Sequence, residues 1–271
     1  MPNNPATMAP VPKKVTTRNA AFQQWQALLT NRGKRQRAGE FLVQGVRPIT
    51  LAAEHGWQIR TLLHAEGPKS RWAQDLLDRY DSTVLDEDLL RELGEKDEQE
   101  LIAVVGLRED RLDRIPRPPD LLAVVFDRPS TPGNIGTLVR SADAFGAHGV
   151  IVTGHAADPY DPRAVRASTG SLFAIPVVRV PSHREVLDWA GAAAIVATDE
   201  AGDTDLADVD LTGPTVVLIG NETTGLTAAW RDSAQRTARI PIAGAASSLN
   251  AAVAATVVLY EAARQRGARQ G

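Results

Sequence analysis

Two stretches in the C-terminal part of the chain combine glycines with small polar side chains where predicted strands end. The first is Gly220-Asn-Glu-Thr-Thr-Gly-Leu226, which follows the apolar run 216–219. The second runs from Ile240 to Ser248-Leu249-Asn250. If the two strands lie side by side, the loops that follow them form a cradle of backbone groups at one edge of a sheet, where open α/β sheets bind ligands. Such a cradle suits a ligand with an adenosine and a charged tail.

A third stretch, 132–146, opens a predicted helix over 134–145. Asn134 is placed to cap this helix, Gly136 leaves its first turn open to an anion, and Arg140 adds a charged group further along. Each stretch alone has a simpler interpretation. The stretch 132–146 is then a capped helix with a surface arginine, Glu222 is a plain loop carboxylate, and Ser248 or Asn250 is an ordinary helix cap.

The elements around these stretches alternate between strand and helix. The apolar run 121–126 is typical of a strand buried on both faces of a parallel sheet. Further strands are predicted at 150–152, 174–180, 194–198 and 215–219, a short one begins at Ile240, and the last helix starts near Ser247. This order predicts an α/β fold with a parallel sheet and helices on both faces.

A smaller α/β unit precedes this one. Its predicted elements include a helix capped at Asn19 and strands at 40–44, 59–63, 82–85 and 101–105. Residues 107–120 contain alternating Arg and Asp and three prolines, which is typical of a linker. The predicted organisation is a flexible tail at 1–14, a first domain at 15–106, a linker at 107–119 and a second domain at 120–271.

The composition excludes several classes of function. The 271 residues contain no cysteine, which excludes disulfides, thiolate metal sites and a cysteine nucleophile. The five histidines show no metal-ligand spacing, so no metal is expected. The G-x-G-x-x-G, Walker A and G-x-S-x-G patterns are also absent. No apolar run reaches membrane-spanning length and the N-terminus lacks a signal-peptide core, so we expect no membrane association and a cytoplasmic location.

Positive charge is concentrated at the N-terminal end. Residues 1–60 contain nine Lys/Arg and two Asp/Glu, although the whole chain has a net charge of −3. A basic run, Arg32-Gly-Lys-Arg-Gln-Arg37, lies in a predicted loop over 30–39. This asymmetry indicates a module that binds a polyanion, and a solvated basic loop is the equally weighted alternative.

Taken in order, the three polar stretches resemble the motifs of the SpoU (TrmH-like) branch of the SPOUT RNA methyltransferases. The matching residues are Asn134-x-Gly136-x-x-x-Arg140-x-Ala142-x-x-Phe145-Gly146, then Gly220-Asn-Glu222-x-x-Gly225-Leu226, then Ile240-Pro241 with Ser248-Leu249-Asn250. The stretch 157–173 also fits, and the resemblance covers about residues 120–265. One departure is Ala251-Ala252, where the family often has Val-Ser. These are expected to be packing positions.

The resemblance implies a fold and an assembly that periodicity does not. The family's parallel sheet contains a deep trefoil knot, and its members are typically homodimers with the site at the subunit interface. The N-terminal unit resembles the L30-like substrate-binding domain of the family, through Lys34-Arg35 and Glu40-Phe-Leu-Val-Gln-Gly45. The run from Thr17 to Pro48 is similar to 23S rRNA 2′-O-methyltransferases that confer antibiotic resistance.

The resemblance also implies a reaction, the transfer of a methyl group from S-adenosyl-L-methionine to a ribose 2′-hydroxyl of RNA, with 23S rRNA the expected substrate. It assigns cofactor binding to six residues: Thr198, Gly220, Asn221, Gly225, Ile240 and Leu249. The catalytic candidates are Arg140, Asn134, Glu222, Ser248 and Asn250. The RNA-binding candidates are Arg18, Arg32, Lys34, Arg35, Arg37 and Arg47. A tRNA 2′-O-methyltransferase and a non-catalytic rRNA-binding assembly factor are the alternatives.

Overall fold

A computed structural model describes residues 13–94 and 99–268. The chain divides into two compact units. Of the described residues, the first unit contains those up to Ile49 and those within Trp57–Leu107, and the second unit contains Thr50–Gly56 and those from Arg108 onward. No helix in the described ranges is long and apolar enough to span a bilayer.

The first unit contains a five-stranded mixed sheet. Its strands are β1 Lys13–Val15, β2 Glu40–Gln44, β3 Ile59–Ala65, β4 Ser82–Leu85 and β5 Ile102–Gly106, in the order β1-β4-β3-β5-β2. Its helices are α1 Ala20–Thr30, α2 Arg32–Ala38, α4 Arg71–Leu77 and α5 Glu87–Leu93, and α3 Val46–Glu54 belongs to this unit up to Ile49 and to the second unit from Thr50. Strands β1, β4 and β3 are parallel, whereas β5 runs antiparallel to β3 and β2. The alternating elements predicted for this unit are confirmed.

Two predictions for the first unit were wrong. The predicted basic loop is helix α2, because Asn31 accepts a hydrogen bond from the Lys34 amide at 3.0 Å and Gly39 ends the helix at a φ of 66°. The predicted flexible tail also extended too far, since Lys13 and Lys14 pair with β4. The rest of that tail, residues 1–12, lies outside the described residues.

The second unit contains a seven-stranded parallel sheet. Its strands are β6 Leu122–Asp127, β7 Gly149–Thr153, β8 Val177–Val180, β9 Ala194–Thr198, β10 Thr204–Asp205, β11 Thr215–Ile219 and β12 Arg236–Arg239. Its helices are α6 Pro132–Ala144, α7 Pro162–Ser168, α8 Ser171–Ala174, α9 His183–Ala190, α10 Ala228–Ser233 and α11 Ala251–Ala268. The strand order is β10-β12-β9-β11-β6-β7-β8, and every pairing is parallel. The predicted α/β fold with a parallel sheet is confirmed.

Several boundaries in the second unit differ from the prediction. The late strand lies at Arg236–Arg239, before Ile240, and α11 begins at Ala251 rather than near Ser247. Helix α6 begins at Pro132, whose fixed φ suits the first helical position, so Asn134 lies inside the first turn and is not the cap. Within the predicted linker, Ile115 is 2% exposed and belongs to the core of the second unit.

Helices α6 and α7 pack closely because Gly136 has no side chain. A Cβ atom at Gly136 would lie 2.2 Å from the carbonyl oxygen of Ala164 and 2.8 Å from the Cβ of Ala167. Both α7 atoms belong to backbone or to a short side chain, so neither moves aside without shifting the helix. Gly136 therefore serves packing, in addition to any role in binding an anion.

We expect Gly136→Ala to lower the free energy of unfolding by about 1–3 kcal/mol or more, because the added methyl group overlaps the backbone of α7. Gly133→Ala is the matched control, since a Cβ there meets no atom within 4 Å. It should be neutral or stabilising, because alanine favours helix more than glycine does. Urea denaturation of both variants measures the difference, and equal stabilities would contradict the packing role.

Candidate functional site

A cavity of about 400 Å³ lies at the carboxyl ends of β9, β11 and β12, which are neighbours in the sheet. Its volume is within the range of small-molecule sites in proteins. The residues that line it are Thr198, Asp199, Glu200, Ile219, Gly220, Asn221, Glu222, Thr223, Thr224, Gly225, Ala238, Ile240, Ile242, Ser248, Leu249, Ala251 and Ala254. The two strand-to-loop exits predicted to form a cradle thus border one cavity.

Most of the site residues predicted from the sequence line this cavity. All six cofactor-binding candidates do so: Thr198, Gly220, Asn221, Gly225, Ile240 and Leu249. Of the catalytic candidates, Glu222 and Ser248 line it, whereas Asn134, Arg140 and Asn250 are outside the lining. The lining also contains Asp199 and Glu200, which the sequence reasoning missed. Their signal was available, since they directly follow Thr198 at the end of β9.

The loop after β11 is shaped by Asn221. Its side-chain oxygen accepts hydrogen bonds from the amides of Thr223 and Thr224 at 2.9 and 3.0 Å. Its backbone exchanges two hydrogen bonds of 3.1 Å with Gly225, which has a φ of 63°. A Cβ at Gly220 would lie 2.6 Å from the backbone of Gly225, so the loop closes tightly on itself. The glycines are therefore required by a tight turn and a close backbone approach.

The Glu222 carboxylate joins this loop to the start of α6. It accepts hydrogen bonds from the backbone amide and hydroxyl of Ser130 at 2.9 and 3.0 Å, and from the Thr131 amide at 3.1 Å. It also accepts one from the Asn134 side-chain amide at 3.0 Å. Partial burial opposes ionisation of Glu222, but these hydrogen bonds outweigh it, and the pKa of Glu222 is lowered from its ordinary value.

Asn134 also connects the start of α6 to the stretch that ends at Asn250. The side-chain amide of Asn250 donates a hydrogen bond to the side-chain oxygen of Asn134 at 3.1 Å. The oxygen of Asn250 accepts hydrogen bonds from the Ala252 and Val253 amides, so Asn250 caps α11. The three polar stretches therefore meet in one chain of hydrogen bonds, Glu222–Asn134–Asn250, which we call the carboxamide relay.

Helices α6 and α11 lie side by side beyond the relay. The hydroxyls of Ser141 and Thr256 are 2.7 Å apart, and the rings of Phe145 and Tyr260 meet edge to face with centroids 5.9 Å apart. Arg140 is on the exposed side of α6. Among residues 13–94 and 99–268, no hydrogen bond or ion pair joins its guanidinium to the protein. Arg140 is therefore available to a bound partner.

The RNA-binding candidates are not equivalent. Arg35 was a wrong choice for contacting RNA, because it is 1% exposed and donates a hydrogen bond to the Leu28 carbonyl oxygen at 2.7 Å. Arg18 pairs with Glu92 at 2.8 Å, although its side chain is largely exposed. The remaining candidates are exposed on or near α2 and α3: Arg32, Lys34, Arg37 and Arg47. Among the described residues, no cluster of His, Asp or Glu could hold a metal ion.

A cavity of this size at the carboxyl ends of parallel strands is typical of an α/β protein that binds a small molecule. Comparison with known proteins identifies the family. Residues 121–260 match the SpoU rRNA Methylase family, and residues 19–103 match the SpoU L30e-like domain. A 23S rRNA (uridine(2479)-2′-O)-methyltransferase of Streptomyces viridochromogenes is 59% identical in an alignment 269 positions long, which covers 95% of this chain and 94% of that protein.

Solved structures agree with the sequence comparison. The SpoU methyltransferase AviRb from S. viridochromogenes in complex with the cofactor AdoMet superimposes with a TM-score of 0.88 at 59% identity, covering 92% of this chain and 98% of that one. An AdoMet-bound rRNA methyltransferase from Sinorhizobium meliloti has a TM-score of 0.84 at 34% identity, covering 93% and 97%. The chain belongs to the SpoU rRNA methylase family, and it is therefore an RNA methyltransferase. The predicted family membership is confirmed.

The lowered pKa of Glu222 predicts a pH dependence of stability. Because the folded protein favours the carboxylate, the stabilisation is complete above the unfolded-state pKa and is lost as the pH falls through the lower folded-state pKa. We expect Glu222→Gln to cost about 1–3 kcal/mol at neutral pH, since the donors of Ser130 and Thr131 lose a charged acceptor.

Thermal unfolding of the wild-type and Glu222→Gln proteins, followed from neutral pH downward, measures this effect. The difference in Tm should shrink in acid. Glu200→Gln is a suitable control, because Glu200 lines the same cavity and no hydrogen bond to its carboxylate is among those of the described residues. A difference that stays constant with pH would contradict the role of the Glu222 charge.

Proposed function

We propose that this protein transfers the methyl group of S-adenosyl-L-methionine to the 2′-hydroxyl of a ribose in 23S rRNA. The observation that carries the proposal is the meeting of the three motifs: the cavity formed by two of them is tied to the helix of Arg140 through the carboxamide relay. Two similarities support it. The S. viridochromogenes protein named for this reaction matches almost the full length, and the superimposed AviRb structure contains AdoMet.

The residues of the cavity fit this cofactor. Bound there, S-adenosyl-L-methionine supplies an electrophilic methyl group on a positively charged sulfur. The charged residues of the lining are Asp199, Glu200 and Glu222, all acidic, and this charge favours a cationic ligand. The backbone of Gly220, Ile240 and Leu249 would hold the adenosine, with Asn221 and Gly225 keeping the loop closed and Thr198 at the strand end.

Arg140 is the group we assign to the reacting hydroxyl. A ribose 2′-hydroxyl is a poor nucleophile and must lose its proton during attack. A guanidinium stays protonated in proteins, so Arg140 cannot act as a literal base. We assign it instead to binding the adjacent phosphate and stabilising the developing alkoxide, with the proton passed to that phosphate.

The carboxamide relay would orient this chemistry. Glu222 and Asn250 hold the two ends of the Asn134 side-chain amide, which fixes its orientation in the first turn of α6. Asn134 would then orient the ribose or the helix of Arg140, with Ser248 in the cavity lining and Asn250 bound to Asn134. A group held at both ends loses little entropy when substrate binds, which favours precise orientation.

The same proposal includes an assembly. Val253 and Tyr260 on α11 are large hydrophobic side chains that are 45% and 56% exposed, and this exposure supports a surface covered by a second subunit. We propose a homodimer with the site at the interface, which would bring a partner's surface to the exposed Arg140. A deep trefoil knot, a cytoplasmic location and a contribution to resistance against ribosome-targeting antibiotics also belong to the proposal.

We expect the purified protein to methylate 23S rRNA at one ribose with S-adenosyl-L-methionine, and Arg140→Ala to lower kcat by about 10²–10³-fold, as for loss of one charge-stabilising donor. Primer extension at low nucleotide concentration locates the 2′-O-methyl group. Restored turnover in Arg140→Lys would show that a positive charge suffices and that the planar guanidinium group is not required. Near-normal turnover of Arg140→Ala would contradict the assignment.

Transfer to tRNA but not to 23S rRNA in the same assay would identify the alternative substrate. RNA binding without any methyl transfer would identify a non-catalytic assembly factor. Either result would overturn the proposed function.

The exposed cations of α2 predict how RNA binding depends on salt. Replacing Lys34 and Arg37 together by Gln should weaken RNA binding. It should also reduce the magnitude of the slope of log K against log salt concentration by about 1.4–1.8, since two phosphate contacts are lost. Arg91→Gln is the control, because Arg91 pairs with Glu87 and Asp88 on its own helix. Filter binding over a salt series measures the slope, and an unchanged slope would refute a role for α2.

A further inference from the structure

Arg128, the residue directly after β6, has a φ of 52°, in the left-handed region. Among residues other than glycine, only Arg128 and Thr169 have positive φ in the described ranges. This conformation costs on the order of 1–3 kcal/mol and persists only where the surroundings hold it. The sequence reasoning assigned no role to Arg128, and the residue does not line the cavity.

Four hydrogen bonds hold Arg128 in this conformation. Its amide donates to the Thr153 carbonyl at 3.0 Å, and its Nε donates to the Asp127 carboxylate at 3.2 Å. On the opposite side, its Nη2 donates to the Gly225 carbonyl at 2.9 Å, and its own carbonyl accepts from the Asn221 side-chain amide at 2.6 Å. Arg128 thus binds both ends of the loop 221–225 that borders the cavity.

The surroundings of Arg128 are built to keep its side chain in place. Asp127 is 2% exposed, and its carboxylate also accepts hydrogen bonds from the Thr153 hydroxyl at 3.1 Å and the Thr227 amide at 3.0 Å. Gly154 leaves the space for the arginine stem, because a Cβ there would lie 2.6 Å from the Cγ of Arg128. The guanidinium is therefore anchored on a buried carboxylate before it reaches Gly225.

The position of Gly225 explains why this contact bears on the cofactor. The Gly225 carbonyl also accepts the Asn221 amide, so the two hydrogen bonds converge on the oxygen that closes the loop. Glu222 lies between Asn221 and Gly225 in sequence, and its carboxylate accepts hydrogen bonds from Ser130, Thr131 and Asn134, which lie beyond the end of β6. Without the Arg128 side chain, the loop 221–225 keeps its internal turn and the hydrogen bonds of Glu222. The Gly225 carbonyl loses the hydrogen bond from the guanidinium.

We propose that Arg128 is a positioning residue for the cofactor, holding the loop 221–225 in the conformation that binds S-adenosyl-L-methionine, at the expense of its own backbone strain. This inference rests on the proposed function, because it assigns the cavity to that cofactor. Arg128 acts through Gly225 and Asn221 and touches no reacting atom. It should therefore affect the affinity for the cofactor more than the chemical step.

The test compares Arg128→Ala, Arg128→Gly and Arg128→Lys with the wild-type protein. Titration calorimetry gives the Kd for S-adenosyl-L-methionine, and steady-state methyl transfer gives KM and kcat. We expect Arg128→Ala to raise the cofactor Kd and KM about tenfold, while kcat at saturating cofactor stays within about twofold, since one charged hydrogen bond is lost. Arg128→Lys should not restore binding, because an ammonium does not span Asp127 and Gly225 as the guanidinium fork does.

Arg128→Gly separates positioning from stability. Glycine adopts positive φ without strain, so this variant should unfold at a higher temperature than Arg128→Ala while its cofactor affinity stays as weak. Faster amide hydrogen exchange at Thr223, Thr224 and Gly225 should accompany the loss in both variants. Arg111→Ala is the control, since Arg111 pairs with Asp113 at the surface and its loss should leave the Kd unchanged.

The outcomes are distinct. Wild-type affinity in Arg128→Ala, or restored affinity in Arg128→Gly, would overturn the role of the side chain while leaving the proposed function standing. A wild-type protein that does not bind S-adenosyl-L-methionine would overturn the proposed function, and this inference with it.

Discussion

The site depends on the acceptance of several hydrogen bonds by one carboxylate. Glu222 follows β11, and its partners Ser130, Thr131 and Asn134 follow β6, so the interaction crosses between neighbouring strands of the sheet. An ionised carboxylate is the only side chain with enough acceptor capacity for these donors and no proton of its own. Its loss would leave backbone amides at the start of α6 without a charged acceptor.

The parallel sheet makes this interaction possible. Strands β6, β11, β9 and β12 all present their carboxyl ends at one edge, so residues about ninety positions apart in sequence meet there. Gly136 allows α6 to pack on α7, and Asn250 begins α11 beside it. Helix α6, the loop 221–225 and helix α11 are consequently fixed to the same edge by short contacts.

The alternation of apolar runs was enough to predict the parallel sheet and most of its strands. Part of the cavity lining was also predictable, because Gly220 and Asn221 follow β11 and Leu249 lies just before α11, whereas Asp199 and Glu200 were missed. The boundaries near Ile240 and Ser247 were not predictable, since β12 contains two arginines and the small residues of 241–250 have no periodicity. The burial of Arg35 was not predictable either, because the sequence of a basic run does not show whether a given guanidinium contacts solvent or a backbone carbonyl such as that of Leu28.

Hydrogen bonds between distant side chains were the least predictable feature. No local pattern indicates that Asn134 connects Glu222 to Asn250, or that Arg128 adopts positive φ to reach Gly225. Such contacts depend on how the strands and helices come together in three dimensions. They are also the contacts that bring the three polar stretches together, which is why motif order alone predicts the reaction better than the role of each residue.

The most direct test of the carboxamide relay is a double-mutant cycle on Glu222→Gln and Asn250→Ala, with the affinity for S-adenosyl-L-methionine measured by calorimetry in all four proteins. The two side chains do not touch, so Asn134 must transmit any coupling between them. We expect the double variant to lose less affinity than the two single losses combined, with a coupling energy of about 1 kcal/mol. Additive losses would contradict the relay.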